Sequence, residues 1–228
     1  LVFSAHGVSP ALFEEARQRN LRVIDATCPF VLRIHSKVRQ FVAEGRLVFL
    51  VGHRGHDEVR GVVGEAPESV IVIENPEEAE AVQVPPGTTV ALVTQTTLSV
   101  TDTQKTVDVL RRRFPELATL PQSDICGAVR SRQLAVRKLA SCGDQVLVLG
   151  AQNSSNSLRL VEVAFEAGAT GTLISSLDDL QKLNWQDLEA IGITAGASTP
   201  DSFIQEVIAS LKKLAGAEII PVSETAKK

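Results

Sequence analysis

The chain has 228 residues, of which 44% are hydrophobic and 22% are charged, and its net charge at pH 7 is −4. This apolar content excludes disorder as the overall state, and the acidic balance provides no basic field that would attract nucleic acid or an anionic membrane surface. The apolar runs, such as 48–51 and 146–149, are far shorter than the ~20 residues of a membrane span. We therefore expect a globular protein without nucleic-acid or membrane partners, which must hold any anionic ligand through local contacts.

Short β-branched runs alternate with helical patterns along the whole chain, which predicts an α/β fold with parallel sheets. Runs such as VFLV and VLVL are apolar at consecutive positions, as expected for strands that are covered on both faces. The predicted elements, in chain order, are the strand LVFSA, the helix PALFEEARQRN, the strand LRVIDA, the helix VLRIHSKVRQFVAEG, the strand RLVFLVG, the helix HDEVRGVVGEA, the strand SVIVIEN, the helix PEEAEAV, the strand TVALVT, a helix at 107–114, the helix AVRSRQLAVRKLAS, the strand DQVLVLG, the helix SNSLRLVEVAFEAG, the strand GTLISS, the short helix DDLQKL, the strand EAIGITAGAS, the helix PDSFIQEVIASLKKLAG and the strand EIIPV.

Two interruptions of this alternation predict three units. The stretch 114–124 carries two prolines, and an earlier strand stops at Cys28. We expect units at 1–28, 29–123 and 124–228, the middle one close to the ~100 residues of a small domain. The chain also has no Met and begins directly on an apolar run, so we expect it to be an excerpt that holds only a remnant of its first unit.

Six of the strand-to-helix turns carry polar side chains. They are found in SAHGVSP, DATCPF, GHRGHDEV, TQTTLS, NSSNS and GAST. In open α/β sheets, ligands bind at the carboxyl ends of the strands, and helix N-termini there offer free N–H groups to anions. The turns therefore predict one polar site to which several units contribute.

The three cysteines are too few for a disulfide framework and indicate a reducing compartment. Cys28 and Cys126 lie in predicted turns, whereas Cys142 follows Cys126 by 16 residues across a predicted helix, a separation of ~24 Å at ~1.5 Å per residue. Cys126 and Cys142 therefore cannot bind one small cluster. Cys28 and Cys126 are either metal ligands or ordinary thiols, and as ligands they would need a third partner from elsewhere.

The segment GHRGHDEV places His56 and Glu58 at the start of a predicted helix. An imidazole beside a carboxylate suits anion binding with proton transfer. A zinc site is disfavoured because His53 and His56 lack the i, i+4 spacing of HExxH, and a helix start capped by acidic residues is the alternative that this segment alone favours. The run at 153–157 has five amide or hydroxyl side chains, more than an N-cap requires, and could cradle a phosphate. The runs at 94–99 and 196–199 are weaker versions of it, and taken in isolation they are better explained as ordinary loops or ST turns. No Walker or GxGxxG motif follows a strand, which disfavours ordinary nucleotide binding.

Taken together, seven motifs in order resemble the 4-hydroxy-3-methylbut-2-enyl diphosphate reductase family. They are SAHGVSP, DATCPFV, GHRGHDEVRG, TQTTLS, DICGAVRSRQ, NSSNSLRL and TAGASTPD. The resemblance implies a pseudo-threefold arrangement of small parallel-sheet α/β units around a central [4Fe–4S] cluster, held by three cysteines. It also implies reductive dehydroxylation of the allylic diphosphate to isopentenyl and dimethylallyl diphosphates.

Carried over by motif, the resemblance assigns roles to individual residues. It implies that Cys28 and Cys126 are cluster ligands, that Glu58 is the proton donor and that Thr96 is its hydroxyl partner. The implied substrate contacts are His6, His56, Thr96, Ser154, Ser155, Asn156 and Ser198. Relative to the family pattern, Asp57 replaces a proline, and Gly127 and Val129 replace an aromatic residue and a threonine.

The resemblance further implies that a third cysteine ligand lies upstream of Leu1, in roughly the first fifth of the family's chain. We therefore expect the 228 residues alone to retain a cluster weakly or not at all. The implied electron donor is a ferredoxin or flavodoxin, and the implied location is the bacterial cytoplasm, with a plastid left open. The alternative is a noncatalytic diphosphate-binding α/β module or a decayed relative.

Overall fold

The computed structural model describes residues 1–98, 100–120, 127–184 and 190–216, together with Glu218 and Ile220. The chain forms two compact units, Leu1–Cys126 and Gly127–Lys228. The predicted division of the chain into three units, with boundaries after residues 28 and 123, stays a prediction.

Nine strands and nine helices lie within the described ranges, and every strand pair is parallel. The strands are β1 (Val2–Phe3), β2 (Ile24–Asp25), β3 (Leu47–Val51), β4 (Val70–Ile73), β5 (Val90–Thr94), β6 (Ala118–Thr119), β7 (Gln145–Leu149), β8 (Thr170–Ile174) and β9 (Ile191–Ala195). The helices are α1 (Pro10–Gln18), α2 (Pro29–Ala43), α3 (Asp57–Val63), α4 (Pro76–Ala81), α5 (Val100–Arg113), α6 (Gly127–Ala140), α7 (Ser155–Glu166), α8 (Leu177–Gln181) and α9 (Asp201–Ala215). The predicted α/β class with small parallel sheets is confirmed. None of the helices in these ranges is both long and apolar enough to cross a membrane.

The first unit contains a two-stranded sheet, β1-β2, and a four-stranded sheet in the order β4-β3-β5-β6. Helices cover both faces of the central strand β3. Val48 and Leu50 pack with side chains of α2 and α3 on one face, and Phe49 and Val51 pack with side chains of α4 and α5 on the other. This two-sided burial explains why β3 is apolar at every position.

The second unit contains a three-stranded sheet in the order β8-β7-β9. Its central strand β7 repeats the arrangement of β3. Val146 and Val148 pack with α6 and α7, whereas Leu147 and Leu149 pack with α8 and α9.

The strand order places a topological switch point in each of the two larger sheets. The chain passes from β3 to β4 on one side and then returns to β5 on the other side of β3, and β7, β8 and β9 follow the same course. Ligands of open α/β sheets bind where the strand order reverses, at the carboxyl ends of the strands. The β3–β5 and β7–β9 edges are therefore the two places at which a site is expected.

Three local features differ from the sequence prediction or fall on residues that the structure describes only in part. Helix α5 starts at Val100 rather than at 107, because its first turns are polar and carry little apolar periodicity. Strand β6 was not predicted, since two residues are too few to show alternation, and it exists by pairing with β5. Of the predicted final strand at 218–222, only Glu218 and Ile220 are described, and both are irregular.

Candidate active site

The two-stranded sheet brings the turns that carry His6 and Cys28 side by side. The backbone N–H of Cys28 donates to the carbonyl of Ala5 at 3.0 Å, which joins the ends of β1 and β2. Cys28 is the N-cap residue of α2, and its half-buried side chain makes no capping hydrogen bond. The thiol is therefore free of a structural capping role.

The turns at the β3–β5 edge bring Glu58 and Thr96 into contact. Val51 and Thr94 are register partners at the ends of these strands, so the turns that follow them lie together. The Thr96 backbone N–H donates to Glu58 Oε1 at 2.7 Å, and the Thr96 hydroxyl donates to Glu58 Oε2 at 3.0 Å. Only 1% of Glu58 is exposed, so the carboxyl group is held in place away from solvent.

Burial has a direct effect on the charge of this carboxyl group. It raises the pKa of Glu58 from 4.5 to about 7, while the two hydrogen bonds from Thr96 act in the opposite direction. A carboxyl group with this pKa is partly protonated at neutral pH and can act as a general acid there.

His56 lies at the start of α3 and faces His6. Its Nδ1 accepts a hydrogen bond from the backbone N–H of Glu58 at 3.1 Å, so the proton of the neutral ring is on Nε2. Burial lowers the pKa of His56, and the nearby His6 lowers it further, whereas Asp57 opposes them. The two rings meet edge to face with centroids 5.0 Å apart. His56 is thus a neutral Nε2–H donor beside a second imidazole.

The β7–β9 edge carries the predicted diphosphate contacts of the second unit. Ser154 is the N-cap of α7, and its Oγ accepts hydrogen bonds from the N–H and the hydroxyl of Ser157 at 3.3 and 3.0 Å. A Cβ at either Gly150 or Gly196 would lie 2.2 Å from Ser157 Oγ. The absence of side chains at these strand ends therefore lets the first turn of α7 lie directly against the sheet.

Asn156 is the most unusual residue of this turn. It is 8% exposed, and neither its Oδ1 nor its Nδ2 has a hydrogen-bond partner among the described residues. Buried polar groups in native proteins are nearly always satisfied, and an orphaned amide marks a place where a ligand or solvent supplies the missing bond. Ser155 is half-buried beside it, and Ser198 is exposed in the turn after β9.

The predicted metal ligands are only partly described. Cys126 lies outside the described residues, and those described contain no group of three side chains suited to holding a metal ion. Of the substituted positions, Gly127 is exposed and Val129 is buried, both in the first turn of α6. Asp57 lies in the first turn of α3, where an acidic side chain complements the helix dipole.

A family model described as LytB protein matches residues 1–212. The chain belongs to the LytB family. Two relatives of this LytB chain are named 4-hydroxy-3-methylbut-2-enyl diphosphate reductase, so the predicted resemblance is confirmed. The protein of Acidothermus cellulolyticus is 49% identical over 214 residues, which cover 92% of this chain and 62% of that protein. The protein of Leifsonia xyli subsp. xyli is 45% identical over 225 residues, which cover 98% of this chain and 66% of that protein. The chain thus spans slightly less than two thirds of the length of these two relatives.

Two solved structures share this LytB fold. The E-1-hydroxy-2-methyl-but-2-enyl-4-diphosphate reductase of Plasmodium falciparum superposes with a TM-score of 0.90 at 33% identity, over 94% of this chain and 68% of that one. An (E)-4-hydroxy-3-methyl-but-2-enyl diphosphate reductase, described as the terminal enzyme of the non-mevalonate pathway, gives a TM-score of 0.63 at 32% identity, over 93% and 75% of the two chains.

Two further polar residues of the LytB chain were missed by the sequence reasoning. Gln95 is buried; its Oε1 accepts from the N–H of His53 at 3.0 Å, and its Nε2 donates to Thr97 at 2.9 Å, so it ties the β3 turn to the β5 turn. Thr199 donates its hydroxyl to the carbonyl of Leu149 at 2.8 Å and ties the β9 turn to β7. Gln95 and Thr199 lie in the polar runs 94–99 and 196–199 of the sequence. Their hydrogen-bond partners belong to neighbouring strands and turns, so only the structure identifies them.

Proposed function

We propose that this LytB protein removes the hydroxyl group of 4-hydroxy-3-methylbut-2-enyl diphosphate and forms isopentenyl and dimethylallyl diphosphates. The reaction consumes two electrons and two protons and releases water. The observation that carries the proposal is the buried Glu58 carboxyl group, which Thr96 holds by both oxygens and which has a pKa of about 7. The names of the relatives support the same reaction.

Glu58 and Thr96 would deliver a proton to the departing oxygen. A backbone N–H can only donate, so Oε1 stays an acceptor and the acidic proton resides on Oε2. Oε2 faces the Thr96 hydroxyl, which can accept this proton and donate its own. This pair can therefore pass a proton to a substrate oxygen that contacts Thr96, and a hydroxyl protonated in this way leaves as water.

Each unit also carries polar groups that suit parts of such a substrate. In the second unit, the N–H groups at the start of the 12-residue helix α7, with Ser154, Ser155, Asn156 and Ser198, suit a diphosphate, because a helix N-terminus favours an anion. In the first unit, the Nε2–H of the neutral His56 and the adjacent His6 suit a substrate oxygen.

The proposed cofactor is a [4Fe–4S] cluster with Cys28 and Cys126 among its ligands. Cys28 fits such a role, since its side chain is partly exposed, does not cap α2 and follows β2 at the same sheet edge as His6. The bound cluster would supply the electrons, delivered to it by a ferredoxin or flavodoxin. Iron bound to thiolates also suits a reducing compartment such as the bacterial cytoplasm.

Anaerobic reconstitution with iron and sulfide, followed by turnover with the allylic diphosphate and a chemical reductant, tests the proposal. Where the reconstituted wild-type protein holds a cluster, we expect product, and we expect its loss in Glu58→Gln at equal iron–sulfur content, which the visible absorption spectrum reports in both. Wild-type protein that binds a cluster and diphosphate but yields neither product contradicts the proposal.

The second candidate function is diphosphate binding without catalysis. The orphaned amide of Asn156 at a helix start favours it, because this cradle needs no iron to bind an anion. Titration with inorganic diphosphate and an assay for turnover separate the two functions. Binding with no turnover after full reconstitution is the result expected of a noncatalytic module.

A further inference from the structure

A buried pair of ionisable side chains lies outside the residues assigned above. His35 of α2 and Glu65, which follows the end of α3, are each about 5% exposed, and Nδ1 of His35 lies 2.7 Å from Glu65 Oε1. The same oxygen is 2.7 Å from the guanidinium of Arg39, one turn further along α2. The cluster ties the helix that begins at Cys28 to the helix that begins beside Glu58.

The turn that carries His6 is enclosed by these two helices. Gly7 has a φ of +75°, and a Cβ added there would lie 3.0 Å from Nε2 of His35. On the other side, a Cβ added to Gly61 of α3 would lie 3.3 Å from the carbonyl group of Gly7 and from the N–H nitrogen of Val8. The Gly7–Val8 peptide is therefore packed between α3 and the imidazole of His35.

Within the described residues, the imidazole of His35 is hydrogen-bonded at one ring nitrogen only. Its Nδ1 bonds to Glu65, whereas Nε2 has no hydrogen-bond partner among the described residues and abuts Gly7 instead. A cavity of about 320 Å³ adjoins this cluster and is lined by Gly7, His35, Arg39 and Glu65 among others. Without the bond to Glu65, the ring and the turn would have room to move.

We infer that His35 and Glu65 are positioning residues for His6. The directional bond between them sets the place of the His35 ring, the ring sets the Gly7 turn, and the turn holds His6 with its ring centroid 5.0 Å from that of His56. A buried ion pair is poor evidence of stability, since apolar replacements are often as stable. In this protein, the pair instead fixes the orientation of the His35 ring. The consequence for catalysis rests on the proposed function, whereas the geometry does not.

The geometry is tested on the chain alone by ring ¹⁵N NMR, which resolves its four histidines. We expect His35→Phe and Glu65→Leu to shift the ring signals of both His6 and His56, and to leave that of the exposed His53 in place. The matched control is Glu44→Leu, which makes the same change at an exposed carboxylate paired with Arg46. His6 and His56 signals that move no more than in this control would overturn the positioning role. If His35→Phe does not fold, Glu65→Leu decides, because it removes the acceptor while it keeps the His35 ring and a similar side-chain volume.

A double-mutant cycle tests the catalytic consequence in the reconstituted protein. His35→Phe should lower kcat/KM by roughly 10- to 100-fold, the scale of a misplaced binding group. In a His6→Ala background, the same change should cost less than about threefold, because independent effects add and this one acts through His6. Equal losses in both backgrounds would mean a general structural effect and overturn the inference. Absence of wild-type turnover counts against the proposed function instead and leaves the NMR result standing.

Discussion

Both carboxylate oxygens of Glu58 are bound by a single residue, Thr96, which lies 38 positions further along the chain. The pairing exists because β3 and β5 are neighbours in the sheet, so the turns after them meet. The backbone N–H fixes one oxygen as an acceptor, and the hydroxyl group faces the oxygen that takes the proton. The contact lowers the pKa of Glu58 against the larger effect of burial, and in the proposed function it also provides the route of the proton.

The first prediction concerns stability against pH. Burial raises the pKa of Glu58 to about 7 from 4.5, so the folded state binds more protons than the unfolded state between these values. The contribution of Glu58 to the free energy of unfolding is then fully present below pH 4.5 and is lost as the pH rises through 7, by up to about 3 kcal/mol.

Urea unfolding of the wild type and of Glu58→Gln between pH 4.5 and 8 measures this contribution. His56, whose pKa is lowered, changes the free energy of unfolding with pH in the opposite direction. Because this contribution is present in both proteins, it cancels when the curve of the variant is subtracted from that of the wild type. A difference that stays constant over this range would contradict the assignment of the raised pKa to Glu58.

The second prediction concerns the chemical step. Glu58→Gln keeps the size of the side chain but has no proton of suitable acidity, so kcat should fall by roughly 10²- to 10⁴-fold. In the wild type, kcat should decline as the pH rises through about 7, because the acid form of Glu58 disappears. Exposed Glu68→Gln is the control and should retain the wild-type pH profile. A wild-type kcat that rises through neutral pH would rule out Glu58 as the acid.

The third prediction concerns the Thr96 hydroxyl. Thr96→Val removes one of two hydrogen bonds that lower the pKa of Glu58, so this pKa should rise further. The lost bond to the ionised carboxylate should cost about 1–3 kcal/mol of unfolding free energy at pH 8 and less at pH 5. Carboxyl ¹³C NMR titration measures the pKa, with exposed Thr119→Val as the control. An unchanged titration curve for Glu58 would show that the hydroxyl contributes nothing.

The fourth prediction concerns Asn156. Replacing it with Leu removes a buried amide that has no partner among the described residues, so the free energy of unfolding of the free protein should rise by about 1 kcal/mol. The affinity for inorganic diphosphate should fall roughly tenfold, because a hydrogen bond to an anion is lost. Calorimetry and urea unfolding measure both effects, and Gln18→Leu, at an exposed amide of the first unit, should show neither. A variant that binds diphosphate as tightly as the wild type would exclude Asn156 from the cradle.

Much of the secondary structure was predictable because its signals are local. The apolar runs of β3 and β7 predict strands buried on both faces, and both are central strands. Strand β6 was not predictable, since its two residues are a strand only by pairing with β5. The start of α5 was missed for a related reason, because its polar first turns carry no apolar stripe.

By itself, the sequence determined the α/β class, the order of its elements and which turns carry the reactive side chains, because periodicity and turn chemistry depend on residues close together in the chain. Only the tertiary structure decided which turns meet. The neighbouring strands β3 and β5 place Glu58 against Thr96, and the resulting desolvation moves the carboxyl pKa to about 7. The packing of α2 against α3 likewise unites His35 with Glu65 over 30 positions. Burial and contact between distant segments are properties of the folded chain, and the charge state of a buried group follows from them.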